Sequence, residues 1–189
     1  MRDTAIRGST IEDVITRRKE SAAVRRGYLA LLGRVLVLGL VVWLILTQCF
    51  LICQSKGQDM FPAMKDGDLC VIYRTGLMDL VGEKLSAGDI VAYRIEGERH
   101  FGRVVATAGD SVQIDTRGSV TVNGVTEGGE ILFPTYTRGD LLNITYVQRD
   151  TVYVLGDYRT QTTDSRDYGP IPMGDVEGKV ISILRRRGL

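Results

Sequence analysis

One loop of this sequence gathers several side chains that can act as nucleophile, base or metal ligand. Gly57-Gln58-Asp59-Met60-Phe61-Pro62-Ala63-Met64-Lys65-Asp66-Gly67-Asp68 follows directly on the only long apolar run and carries a carboxylate, Asp59. Ser55 and Lys56 precede it, Lys65 lies within it, and Lys84 and His100 come later. Hydroxyl, amine and imidazole are the groups of nucleophilic acyl transfer, in which an attacking oxygen needs a base beside it. Asp59 itself is a carboxylate, a weak acyl nucleophile whose charge opposes an oxyanion forming nearby. A single histidine, with no Cys or Asp cluster at ligand spacing, predicts no metal site and no cofactor.

The elements that must position this loop begin with an anchor. Val35 to Cys53 is almost wholly apolar, Thr47 and Gln48 being the polar exceptions. About 19 residues rising 1.5 Å each nearly cross a hydrocarbon layer of ~30 Å. Arg17, Arg18, Lys19, Arg25 and Arg26 precede the run, Arg34 sits at its leading edge, and only Lys56 follows closely. The asymmetry predicts a cytoplasmic N-terminus in residues 1–33, a single transmembrane span over 34–54 and an extracytoplasmic domain over 55–189. A cleavable signal peptide is the rival reading, but the run is long for one and no small-x-small site follows it. Ser9-Thr10-Ile11-Glu12 matches a capping box, so a helix is expected to start there and run toward the anchor.

The 189 residues allow one ordinary domain beside the anchor. A formal net charge of +1, from 24 basic and 23 acidic residues, leaves no field favouring nucleic acid. Of three cysteines, Cys49 and Cys53 are read as one helical turn apart in the anchor and Cys70 as a small buried hydrophobe, so no disulfide is expected.

Beyond the anchor the pattern is that of strands. The segments 69–74, 90–94, 101–106, 111–115, 119–122, 151–155 and 179–184 are β-branched and apolar, and Gly-Asp and Asn123-Gly124 turns separate them. An all-β barrel or sandwich follows, with an irregular stretch from Thr126 to Val147. Arg138-Gly139-Asp140 spells an adhesive tripeptide, but Gly-Asp is ordinary turn chemistry and chance recurrence is the better account.

Four ordered segments together resemble the bacterial type I signal peptidases. Gly57 to Asp68 resembles the loop Gly-x-Ser-Met-x-Pro, with Gly57, Met60 and Pro62 kept and Asp59 at the serine. Ala87-Gly88-Asp89-Ile90-Val91-Ala92-Tyr93 is similar to the Gly-Asp-hydrophobic strand. Gly102-Arg103-Val104-Val105-Ala106-Thr107-Ala108-Gly109-Asp110 resembles the segment that carries the lysine base, with Gly102 at the lysine. Val154 to Gly169 is similar to Gly-Asp-Asn-Arg…Ser-x-Asp-Ser-Arg-x-[aromatic]-Gly, departing at Tyr158 and Thr162.

The resemblance implies a signal-peptidase-type β-barrel or sandwich outside the membrane, with an apolar cleft that accepts an extended peptide as an added strand. It also implies that Arg103, Asp157, Arg159, Asp164 and Arg166 form a structural charge network behind the base. A serine–lysine protease needs a hydroxyl and an amine whose pKa burial has lowered, and neither Asp59 nor Gly102 supplies one. His100, on the same strand face as Gly102, is the best substitute base; Ser55 is expected at the membrane exit. The degenerate pair is similar to that of the signal-peptidase-like pilus assembly proteins encoded beside sortases in Gram-positive bacteria. The implied function is then a non-catalytic factor binding a pilin or exported precursor. The alternative is an active signal peptidase built on unusual residues.

Overall fold

The computed structural model describes the backbone of residues 11–128, 132–138 and 144–185, and the side chains of these from Val24 onward. The chain divides into two units, Met1–Thr47 and Gln48–Leu189. Helix α1 is continuous from Ile11 to Cys49, and the expected helix over the basic N-terminal stretch is part of it. Ser9 and Thr10 of the anticipated capping box lie outside the described residues. From Val24 to Cys49 the helix is long and apolar enough to cross a membrane, with none of that window covered by protein. From Val35 to Cys49 its uncovered surface is almost wholly apolar, the composition of a membrane-spanning segment.

The helix stops earlier than expected. Phe50–Gln54 is strand β1, not the last turns of the span, and pairs antiparallel with β2 (Leu69–Arg74) from Phe50↔Tyr73 to Gln54↔Leu69. A continuous apolar run has no period that separates helix from strand, so the pairing partner decides the boundary. Cys53 accordingly leaves the helix and stands opposite Cys70 in the sheet.

The second unit is mainly β, as expected. A seven-stranded sheet takes the order β1-β2-β11-β3-β4-β9-β10, and a four-stranded sheet the order β7-β6-β5-β8. The strands β3 (Ile90–Ile95), β4 (Glu98–Ala106), β5 (Ser111–Ile114), β6 (Val120–Val122), β9 (Thr151–Leu155) and β11 (Val176–Leu184) fall within a few residues of the expected segments. The short strands β7 (Val125–Thr126), β8 (Thr145–Tyr146) and β10 (Ile171–Pro172), with helices α2 (Thr75–Val81) and α3 (Ser165–Tyr168), carry no pattern long enough to read. Asn123 and Gly124 have φ of 52° and 80°, the left-handed pair a two-residue hairpin demands, and Val122 pairs with Val125 across them. Of the Arg138-Gly139-Asp140 tripeptide only Arg138 lies among the described residues, and it is ion-paired to Asp167 at 2.8 Å.

Alternate residues of single strands enter different cores. On β9, Val152 and Val154 join Val91, Tyr93, Val104 and Ile171, whereas Tyr153 and Leu155 join Val112, Ile114 and Val120 beneath the smaller sheet. On β3, Val91 and Tyr93 face the first core and Ala92 the third, with Met60, Met64, Cys70, Ile72 and Phe101. Strands buried on both faces lose the polar alternation of a half-exposed sheet, which explains their continuous apolar runs. The first and third cores meet at β3 and β4, where the sequence motifs converge.

Candidate functional site

The loop between β1 and β2 is a closed structure with its own hydrogen bonds. Ser55 N–H donates to Asp68 O at 2.8 Å and Gly67 N–H to Ser55 O at 3.0 Å, so Ser55 closes the loop's base. Ser55 is buried there. Gly57 has φ of 82° and its N–H donates to Asp66 Oδ1 at 2.9 Å; Asp68 Oδ2 accepts from Lys65 N–H at 2.9 Å. Met60 and Met64 are both buried in the third core and pin the loop from within. The Phe61–Pro62 peptide is cis, and Pro62 is exposed at the loop's outer side.

Held this way, Asp59 is half-buried and its backbone carbonyl accepts from Tyr158 N–H at 2.9 Å, which joins the loop to the segment after β9. Burial raises the Asp59 carboxyl above the usual carboxylate range; His100 acts in the opposite direction and Asp164 adds to the rise. Tyr93 and His100 are facing residues on β3 and β4 with rings stacked at 5.7 Å, and Tyr168 lies 6.4 Å beyond His100. The Tyr93 phenol is pushed far up by burial, then by Asp164 and Asp59. Asp59, Tyr93, His100 and Asp164 thus form one electrostatic neighbourhood.

Gly102 pairs with Val91 on β4 and is buried. A Cβ built there would run into Val154 Cγ1 well inside van der Waals contact and would lie 3.4 Å from both Leu155 O and the Tyr93 ring. Val154 therefore occupies the space a Cβ at this position would take. His100 shares the Tyr93 side of the strand with Gly102, as the alternation predicts.

The five expected network residues form three pairings rather than one cluster. Arg103 binds Asp157 through Nε at 2.8 Å and Nη2 at 2.5 Å, and gives Nη1 to Gly88 O at 2.9 Å. Arg159, only 3% exposed in its side chain, forks onto Glu127 at 3.0 and 2.8 Å and reaches Thr135 Oγ1 at 2.8 Å. Asp164 and Arg166, at 0% and 2% side-chain exposure, make a bidentate pair at 2.8 Å each, and Asp164 also accepts from Gly156 N–H and Arg166 N–H at 3.1 Å. Asp164 is the N-cap of α3 in a reciprocal capping box with Asp167. Glu127 and Thr135 complete the Arg159 arrangement and had no signal in the sequence, because each is identified only by its partner across the fold.

A cleft of about 690 Å³ borders the loop on the Phe61–Pro62 side, lined by Lys65, Arg103, Glu127, Asp157, Arg159 and Arg185 among others. Tyr158, where the motif has Asn, stands between Phe61 and Phe133, with centroids at 6.2 and 4.6 Å. Thr162, where the motif has Ser, is buried and donates to Tyr158 O. Among the described residues no group of three or more metal-ligating side chains converges.

Comparison with known proteins bears on most of the chain. The family described as "Signal peptidase, peptidase S26" matches residues 27–184. Signal peptidase IB of Staphylococcus aureus is 27% identical over 146 residues, covering 66% of this chain and 72% of its own. Mitochondrial inner membrane protease subunit 1 of Saccharomyces cerevisiae is 28% identical over 132 residues, 68% of this chain and 64% of that protein. A crystal structure of a signal peptidase I from Enterococcus faecalis aligns with a TM-score of 0.44 at 23% identity, over 53% of this chain and 98% of that one. With a family match spanning both the apolar helix and the β unit, the chain belongs to the signal peptidase family, peptidase S26.

Proposed function

We propose that this chain is a membrane-anchored signal peptidase homologue that binds extended peptide without cutting it, its β unit lying outside the cytoplasm. The observation that carries the reading is at Gly102. By motif it is the base position; it has no side chain, and Val154 Cγ1 stands where even the first carbon of one would clash. Asp59 at the nucleophile position offers a carboxylate, which has no hydroxyl to add to a carbonyl and would repel the oxyanion formed by any other attack. Loss of both members of such a pair removes several orders of magnitude of rate. The loop, the cleft and the paired charges around them persist, and these are what a peptide-binding surface requires. The bound segment is a pilin or another exported precursor, and the working partner is a Gram-positive sortase system; adjacent sortase and pilin genes would favour that assignment.

The second reading, an active signal peptidase, draws on His100, the one titratable base that acts on Asp59 electrostatically. Incubating the full chain in detergent with a fluorescent peptide ending its signal sequence in Ala-x-Ala separates the two. Binding by anisotropy with no cleavage product supports the first. Efficient cleavage that disappears in His100→Ala overturns it. Asp59→Ser with Gly102→Lys is expected to stay inactive until Val154→Ala opens the space, and proteolysis gained by the triple variant would show a cleft lacking only its chemistry.

A further inference from the structure

The end of α1 at Cys49 moves Cys53 into a strand, and there it faces Cys70. The register is unbroken from Phe50↔Tyr73 through Cys53↔Cys70 to Gln54↔Leu69. Ser55 and Asp68, two positions further, are a hydrogen-bonded pair, with Ser55 N–H donating to Asp68 O at 2.8 Å. Antiparallel pairs alternate with period two, so Cys53 and Cys70 also form a hydrogen-bonded pair, whose Cα atoms stand about 5.5 Å apart. That value lies in the Cα range of disulfides; both thiols are free in this structure, and the Cβ atoms, about 5.5 Å apart in a hydrogen-bonded pair, must close by roughly 1 Å for the bond to form. Both side chains project to the same face: Cys70 is wholly buried in the third core and Cys53 packs against that core, partly exposed. The residues between them, 54–69, are the loop that holds Asp59, Met60 and Pro62.

We propose that Cys53 and Cys70 form a cross-strand disulfide that ties the base of this loop. The inference rests on the extracytoplasmic placement above for its oxidising surroundings. The oxidant is a disulfide, whether a small molecule or a thiol–disulfide oxidoreductase. The Cys53 thiolate, on the more accessible side chain, attacks one sulfur of that disulfide, forming a mixed disulfide and releasing one thiolate. Cys70 gives its proton to solvent, attacks Cys53 Sγ and displaces the second thiolate. Two protein thiols are oxidised and one external disulfide becomes two thiols. Burial raises the Cys53 thiol and pushes the Cys70 thiol up to about 11, which slows both attacks without altering the geometry of the product. A clamp across a loop of roughly 15 residues removes unfolded-state freedom and holds the loop closed when the strands breathe.

The test uses full-length protein in detergent carrying Cys49→Ser, which removes the third thiol. After incubation with oxidised glutathione, alkylation and trypsin without reductant, cleavage at Arg34, Lys56, Lys65 and Arg74 should leave residues 35–56 joined to residues 66–74. A mass 2 Da below the sum of the two peptides marks the bond, reductant separates them, and the melting temperature rises by roughly 5–10 °C on oxidation. Cys53→Ser and Cys70→Ser should each abolish both effects. Full alkylation of both thiols after oxidation, or a bond formed only between chains, overturns the proposal. Alkylation of intact cells before lysis then examines placement separately. The joined peptide recovered from cells supports the proposal, and a bond that forms in detergent but is absent from cells overturns the extracytoplasmic reading rather than the pairing.

Discussion

The segment after β9 and the loop after β1 meet at one hydrogen bond, from Tyr158 N–H to Asp59 O, and they treat charge in opposite ways. In the first, Asp164 is wholly buried yet accepts four donors, and Arg166 spends its remaining N–H groups on the carbonyls of Tyr136 and Thr162. In the second, Asp59 is half-buried, and among the described residues no side-chain hydrogen bond or ion pair reaches its carboxylate. A buried ion is tolerated when every lone pair and proton is used, and it is a cost when they are not. The contrast is between a carboxylate whose charge is fully partnered, at Asp164, and one left to partial burial, at Asp59.

Breaking the better-satisfied side gives the largest expected effect. Arg166→Met strands the Asp164 carboxylate at zero exposure and should cost about 3–5 kcal/mol of stability. Chemical denaturation with the linear extrapolation would read it, and a cost below about 1 kcal/mol would mean the pair is not structural. On β4, Gly102→Ala forces a methyl group into Val154 and should cost about 1–3 kcal/mol by overpacking. A double-mutant cycle with Val154→Ala should recover most of that loss, since the clash is with one side chain. Arg103→Met removes a pair whose members are 29% and 15% exposed, so solvent replaces much of it and about 1 kcal/mol is expected.

The smallest effect has the opposite sign. Because the folded-state pKa of Asp59 lies above its unfolded value, the folded chain holds more protons between the two. Stability therefore falls as pH rises through that window and stays lower at neutral pH. Asp59→Asn should raise the melting temperature slightly at pH 7 and make no difference below the ordinary aspartate pKa, where both forms are neutral. A pH series of melting curves on the pair of proteins checks the sign. A neutral-pH loss in the variant would show that the carboxylate is being used, and would shift the balance between the two functional readings.

The candidate site was legible where a motif fixes identity and spacing together. Gly57, Asp59, Met60, Pro62, Gly102 and Arg103 could be placed before any coordinates, as could Asp157, Arg159, Asp164 and Arg166. What joins them was not legible. Arg159 finds Glu127 and Thr135, from a stretch with no periodic pattern, and the Tyr93–His100 stack depends on the register of a hairpin. The expectation of a single network gave way to three separate pairings because charge sequence does not encode which arginine reaches which carboxylate.

By itself the sequence determined the β class, an apolar segment able to span a membrane, and the chemical poverty of Asp59 and Gly102. Those are properties of residue type, period and composition, which survive without knowledge of contacts. Only the tertiary structure decided that Phe50–Gln54 is a strand, that Cys53 faces Cys70, and that Val154 fills the room beside Gly102. A uniform apolar run satisfies helix and strand equally, and a glycine leaves no trace of what surrounds it. The partner strand and the packed neighbour, both distant in sequence, supply the information that local pattern lacks.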